Sequence, residues 1–339
     1  MQLTVQQSLL DDLNAMWKSF AIQAAAQFDF ATLIGEGSMT TTELAEATGT
    51  QERWVYRVLR FLAAHGVFAE VAPRTFTNTA RSLYLCDDIP GSLRAMARMM
   101  GSNRVRQEWC LLEHTMQTGI PSVELLCGKG LYAHLDEHPE EGDLFDAAIT
   151  SFSTIVDEAI ATTYDFSVFK KVVDIGGGRG SLMSAICTHH PSVQGVLFER
   201  PSVIERLQEA GGLSVVTGAV DLPIELVAGD FFDQIPQGID AYVLKEVLHN
   251  WSDRRCVEIL TNCRRSMHAG SVVLVCEQLV PSNNEGAFAK GLDLMMGLEQ
   301  QGGERTQEEF QTLYEAAGFR LTRVLQTPSP HCIFEGVIR

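Results

Sequence analysis

The stretch Lys171-Val172-Val173-Asp174-Ile175-Gly176-Gly177-Gly178-Arg179-Gly180-Ser181 decides the fold. It is a short apolar run that ends in glycines. Glycines let the chain turn tightly and let a ligand approach the backbone closely. A nicotinamide-type fingerprint is G-x-G-x-x-G/A. Here Gly176 and Gly178 match it, but the last position is Ser181, and the pattern is G-x-G-x-G through Gly180. Asp174 stands two residues before the first glycine. A carboxylate there repels a pyrophosphate and attracts the ammonium group of an amino acid. The stretch therefore favours an adenosylmethionine-type ligand over a dinucleotide.

Downstream, strands alternate with helices. Residues 193–198, 224–228, 240–244 and 271–276 read as further strands. This alternation implies a Rossmann-like, doubly wound, mostly parallel α/β sheet, which binds ligands at the carboxyl ends of its strands. Glu199 closes the second strand, about 20 residues past the glycine loop, where a carboxylate accepts from ribose hydroxyls. The third strand ends in Gly229-Asp230-Phe231-Phe232, which offers Asp230 to an adenine amine and Phe231 to the face of the base. The fourth leads into Lys245-Glu246-Val247-Leu248-His249-Asn250-Trp251-Ser252-Asp253. Lys245 and His249, four apart, share a face on a helical turn. An imidazole at that end of a sheet suits removal of a hydroxyl proton near neutral pH. It needs a carboxylate to fix its tautomer. Glu277, which ends the fifth strand, and Glu304, in Gly302-Gly303-Glu304-Arg305-Thr306, both qualify, and the sequence does not choose between them.

Upstream, residues 1–100 read as helices. Leu9, Leu10, Leu13, Met16 and Trp17 recur at helical spacing. Thr40 followed by Glu43 starts one helix, Gly49 ends it, and a second runs over 52–64 before a short strand at 67–71. Helix, turn, helix, wing is a winged-helix pattern. Eight Lys/Arg face ten Asp/Glu in these 100 residues, and the whole chain of 339 carries a formal charge of −17. DNA-reading modules are more basic than this, so dimerisation is the better use of the domain, and neither nucleic acid nor an anionic membrane is expected as a partner. Residues 101–165 form a helical linker contributing to a substrate pocket, and 166–339 form the ligand-binding domain. The eight cysteines include no C-x-x-C, so no metal site and no disulfide framework is expected; they read as reduced packing residues of a cytoplasmic protein. The first twenty residues lack the basic and apolar segments of a secretory signal, so none is expected, and no run of about 18 apolar residues is present.

Taken together, the winged-helix N-terminus, VVDIGGGRG, GDFF, LKEVLHNWSD and GGERTQEEF give the chain a resemblance, over nearly its whole length, to the plant-type small-molecule O-methyltransferases. That group includes the caffeic acid and hydroxyindole O-methyltransferases and bacterial natural-product tailoring enzymes. The resemblance implies S-adenosylmethionine as cofactor, no metal and a homodimer. It implies that Gly176 and Gly178 lie against the cofactor, that Glu199 holds its ribose, that Asp230 and Phe231 hold the adenine, and that Lys245 holds the methionine part. Ser153 matches a position near the cofactor carboxylate. His249 matches the general base, with Glu277 and Glu304 framing it, and Met296 matches a position near the transferring methyl. Two departures stand out: Glu199 replaces the usual Asp, and Asn250 replaces the usual Asp after the histidine. The acceptor pocket is expected to draw on Trp109, Leu112, Met116, Phe152, Met295 and Met296, which suits an aromatic natural-product intermediate with a phenolic hydroxyl. A nitrogen acceptor on the same fold and a metabolite-sensing regulator are the alternatives.

Overall fold

The computed structural model describes residues 4–87, 89, 91–213 and 222–339. The chain divides into two compact units, Met1–Arg106 with Glu140–Phe152, and Gln107–Pro139 with Ser153–Arg339. The 25-residue helix Pro139–Thr163 contributes to both.

In the first unit, the helix Val5–Gln27 is followed by the helices Thr41–Thr48 and Glu52–Ala64. Thr40 and Glu43 close a capping box at the start of the second of these, satisfying N–H groups that a helix start leaves orphaned. Gly49 ends it in the left-handed conformation. Strands β1 (Ser38–Thr40), β2 (Phe68–Ala72) and β3 (Thr75–Asn78) form an antiparallel sheet in the order β1-β3-β2. The core of the unit is Leu44, Val55, Leu59, Leu62, Phe68 and Phe76. The expected stripe on the first helix faces outward instead: Leu9, Leu10, Leu13, Met16 and Trp17 are all more than half exposed.

The second unit holds a seven-stranded sheet, ordered β6-β5-β4-β7-β8-β10-β9. Its parallel part comprises β4 (Lys171–Ile175), β5 (Gln194–Glu199), β6 (Ile224–Ala228), β7 (Ala241–Lys245) and β8 (Val272–Gln278). All five strands expected from sequence are present. Most are buried on both faces, which is why they read as unbroken apolar runs. Two further strands, β9 (Phe319–Gln326) and β10 (His331–Ile338), join antiparallel to the β8 side. The chain steps outward from β4 through β5 to β6, then returns to β7 on the other flank of β4. That reversal opens a crevice at the carboxyl ends of β4 and β7, where doubly wound sheets bind ligands. The glycine loop and the segment 245–253 leave the sheet at this point.

One face of the sheet buries Val173, Ile175, Tyr242, Leu244, Val275 and Phe334 against the helices Asp253–Ser266 and Gln307–Ala316. Phe310 stacks on Phe334 with ring centres 4.0 Å apart, and the Tyr314 hydroxyl donates to the Phe334 carbonyl at 2.7 Å. This packing supports the carboxyl ends of β7 and β8 from below. None of the eight cysteines is in a disulfide; Cys110 is exposed rather than packed. No helix among the described residues is long and apolar enough to cross a membrane.

Candidate active site

The glycine loop is shaped by what lies under it. Gly176 and Gly178 have φ of 69° and 55°, the left-handed region that glycine enters without strain. Gly177 is required for a different reason. A Cβ there would sit 2.4 Å from the Asp174 carboxylate and 2.6 Å from Leu197. The loop is thus draped over a buried carboxylate. Asp174 is fully buried, and neither of its oxygens has a hydrogen-bond partner. Burial pushes its pKa up, the Lys245 ammonium pulls it back, and the charges of Asp157 and Glu199 raise it further, leaving it at about 7.

Glu199 accepts the Gly178 N–H at 3.1 Å, which ties the end of β5 to the loop. Asp230 is exposed and accepts the Phe232 N–H at 2.8 Å. Phe231 is half-buried; a Cβ on Gly176 would lie 3.7 Å from its ring. The Asn262 amide donates to the carbonyls of Phe231 and Phe232 and pins this turn. Lys245, at the end of β7, donates to Asp157 at 2.6 Å. The structure therefore gathers Asp174, Gly176, Gly178, Glu199, Phe231 and Lys245 around one crevice. Ser153 is buried one helical turn before Asp157.

His249 sits in a short turn, Leu248–Asn250, and is 8% exposed. Its Nδ1 lies 2.7 Å from Glu304 Oε1, and its backbone N–H donates to Glu277 Oε1 at 3.0 Å. The two glutamates thus have different contacts: Glu304 meets the ring, whereas Glu277 holds the backbone of the turn. With Nδ1 committed to a carboxylate, Nε2 is the nitrogen left for chemistry. Burial alone would lower the His249 pKa. The Glu304 hydrogen bond and the charges of Glu304, Glu277 and Glu246 outweigh it and lift the group to about 9. Burial pushes Glu277 up to about 7, opposed by His249.

Several residues of this arrangement escaped the sequence reading. Arg305 is buried and donates to the carbonyls of Leu248, Gly303 and Trp251 at 3.2, 3.1 and 2.8 Å. It locks the histidine turn to the Glu304 loop. The Asp293 carboxylate accepts the Glu304 N–H at 2.9 Å. Gly302 lies against the histidine turn so closely that a Cβ would fall 2.0 Å from the His249 carbonyl oxygen. Asp157 had one visible signal, its i+4 spacing from Ser153 on one helix face. Of the expected pocket residues, Met296 is buried and Met295 half-buried on the helix Ala287–Glu299, which packs against the helices Leu112–Thr118 and Ser122–Cys127. Trp109 is 38% and Met116 78% exposed. The side chain of Phe152 lies outside the described residues.

Residues 92–320 match the O-methyltransferase domain and residues 10–88 the O-methyltransferase dimerisation domain. The chain belongs to this O-methyltransferase family. It is 38% identical to phenazine O-methyltransferase of Lysobacter antibioticus, over 96% of this chain and 94% of that one. It is 31% identical to the 8-amino-8-demethylriboflavin N,N-dimethyltransferase of Streptomyces davaonensis, over 90% of this chain and 88% of that one. The crystal structure of CalO1, a methyltransferase in calicheamicin biosynthesis, in its SAH-bound form superposes with a TM-score of 0.82 at 33% identity, covering all of both chains. This protein is accordingly an S-adenosylmethionine-dependent O-methyltransferase with a Rossmann-like catalytic sheet and a helical dimerisation domain. The donor set fits that cofactor: partnerless buried carboxylate oxygens stand beside a glycine loop, as a ligand carrying a positively charged amino-acid end requires.

Proposed function

We propose that this O-methyltransferase acts on a hydroxyl, most suitably a phenol, of a small aromatic molecule, with His249 as general base. The observation that carries the reading is the buried His249–Glu304 couple at 2.7 Å. A carboxylate on Nδ1 fixes the tautomer in which Nε2 has a lone pair, and it stabilises the imidazolium formed when the acceptor proton arrives. The cofactor supplies an electrophilic sulfonium methyl. The residues of the chain do the rest. Gly176, Gly178, Glu199, Asp230, Phe231, Lys245 and Ser153 hold the donor. His249 Nε2 receives the hydroxyl proton as the oxygen attacks. Glu277 and Arg305 keep the turn in register through its backbone.

Some members of the family methylate nitrogen, as the riboflavin-type relative does by name. A neutral amine needs less help from a base than a hydroxyl does. The investment of two buried carboxylates around His249 therefore favours oxygen. The acceptor side is proposed to include Met295 and Met296, whose adaptable thioethers suit an irregular apolar pocket.

The test is His249→Ala. It is expected to fold, to bind S-adenosylhomocysteine with unchanged affinity, and to lose about 10²- to 10⁴-fold in turnover of a phenolic acceptor. Normal turnover in that variant would end the base assignment. The exposed apolar face of Val5–Gln27, with Trp17 and Trp54 flanking a shallow groove, is proposed as a homodimer surface. A monomeric mass in light scattering would refute it.

A further inference from the structure

Three charged side chains meet behind the glycine loop. Lys245 comes from the end of β7, Asp174 from the end of β4, and Asp157 from the helix Pro139–Thr163. Asp157 is 2% exposed. Its Oδ1 accepts from Lys245 at 2.6 Å, and its Oδ2 has no partner. Asp174 is fully buried with both oxygens without partners. The three groups interact electrostatically with one another. A single lysine cannot satisfy two buried carboxylates. One positive charge is missing, and so is a donor with more than one N–H. A buried carboxylate left in this state is costly unless something completes it.

We propose that Asp157 is a cofactor-binding residue: its Oδ2 and the Asp174 carboxylate together receive the α-ammonium of the cofactor's methionine end, while Oδ1 keeps Lys245 in place. The proposal rests on the assignment of Lys245 and the glycine loop to S-adenosylmethionine. An α-ammonium carries the missing charge and three N–H donors, enough for two carboxylates. Asp157 would thereby connect the helix Pro139–Thr163 to the donor site, and Ser153, one turn earlier on the same helix, would lie on the same side of the ligand. The pKa of Asp174 fits as well. Burial raises it to about 7, against the pull of Lys245 and with the charges of Asp157 and Glu199 adding to the rise, so the carboxylate holds part of a proton near neutral pH. An incoming cation releases that proton.

Calorimetric titration tests this with three probes. S-adenosylhomocysteine carries both the ammonium and the carboxylate. Its deamino analogue keeps only the carboxylate, and 5′-methylthioadenosine lacks both. In Asp157→Asn, affinity for S-adenosylhomocysteine is expected to fall by about 10- to 100-fold, the worth of a charge-assisted hydrogen bond. Affinity for the other two probes is expected to stay within about twofold, which also shows that the site is folded. An equal loss for S-adenosylhomocysteine and its deamino analogue would overturn the proposal, because Asp157 would then act only through Lys245. No loss at all would overturn it too. Should the variant lose every probe, the unaltered protein decides the matter. At pH 7, its binding enthalpy for S-adenosylhomocysteine must depend on the ionisation enthalpy of the buffer, and that for 5′-methylthioadenosine must not. Buffer-independent binding of both would overturn the ammonium assignment. Failure of the unaltered protein to bind S-adenosylhomocysteine would remove the cofactor assignment itself, and the proposal with it.

Discussion

Replacing Glu304 by Gln separates the charge on the proposed base, His249, from its orientation. The amide of Glu304→Gln can still accept the Nδ1–H of His249, across a contact that is now 2.7 Å, but it carries no charge. A hydrogen bond to a charged group is worth about 1.5–3 kcal/mol in net stability. At about 1.4 kcal/mol per pH unit, that lowers the His249 pKa by about 1–2 units, from about 9 to between about 7 and 8. The sign follows from the imidazolium, which Glu304 stabilises and a neutral amide does not. At pH 7 about 1% of His249 is neutral in the native enzyme, and about ten to fifty per cent would be neutral in the variant. Two effects on rate then oppose each other. More of the base is available at pH 7, but each neutral imidazole is a weaker base and its cation is less stable. The kcat/KM profile should show its acid limb at lower pH and a plateau that is lower by about 10- to 100-fold. His249 can also be followed without an acceptor. The protein has nine histidines, and the Cε1–H resonance that disappears in His249→Ala identifies it in a ¹H–¹³C correlation spectrum. If that resonance titrates at the same pH in the native protein and in Glu304→Gln, the charge of Glu304 does not set the base, and the argument from the couple fails.

Two further perturbations test the frame around the site. Asp174 has its pKa raised from the usual 3.8 to about 7, so the folded, ligand-free protein loses stability as pH rises between those values and recovers none above them. Asp174→Asn should therefore melt at the same temperature as the native protein near pH 4, gain up to the order of 4 kcal/mol by pH 8, and bind S-adenosylhomocysteine more weakly; a difference that is constant with pH in scanning calorimetry would contradict the burial argument. Gly302→Ala places a methyl 2.0 Å from the His249 carbonyl oxygen and 2.6 Å from the backbone of Asn250 and Trp251, none of which is a flexible side-chain end. Turnover should fall by at least about 100-fold, as expected for a displaced base, with little change in S-adenosylhomocysteine affinity; normal turnover would show that the two loops are not in register as described.

How much of this was legible beforehand depended on whether the signal was local. Four of the five parallel strands read clearly because they are buried along most of their length and are mostly apolar there; β6 is only partly buried, but its run is apolar apart from Glu225. Strand β9 did not, because it lies at the sheet edge, where Arg320, Thr322 and Arg323 interrupt its apolar residues and mask the run. The glycine loop, Glu199, Asp230 and His249 could be singled out as candidates because each follows a strand at a fixed offset. The division of labour between Glu277 and Glu304 was not, since both are carboxylates near the same histidine. Only the fold shows that one reaches the ring and the other the backbone. The first helix was read correctly as apolar along one stripe, but periodicity does not say whether a stripe meets the same chain or another one.

Asn250 illustrates the same boundary between pattern and structure. As a departure from the family pattern it reads only as the loss of a negative charge beside the base. In the fold, its side-chain amide donates to the carbonyl of Glu246 at 3.0 Å, a bond that an ionised Asp cannot make. Glu246 needs that support. Its φ of 53° is in the left-handed region, which costs a non-glycine residue of order 1 kcal/mol or more unless its surroundings hold it there. Its N–H donates to the Cys276 carbonyl at 3.1 Å, and its carboxylate is 2.9 Å from Nε2 of the buried His331. Hydrogen bonding to His331 and the nearby charges of Lys245, His331 and His249 overcome burial and keep that carboxylate ionised, with a pKa near 2. The negative charge absent at 250 is thus present at 246, four residues earlier, and it contributes to raising His249. The left-handed turn at Glu246 lies between Lys245, which meets Asp157, and His249, which meets Glu304, and the Asn250 amide ties this segment together through the Glu246 carbonyl.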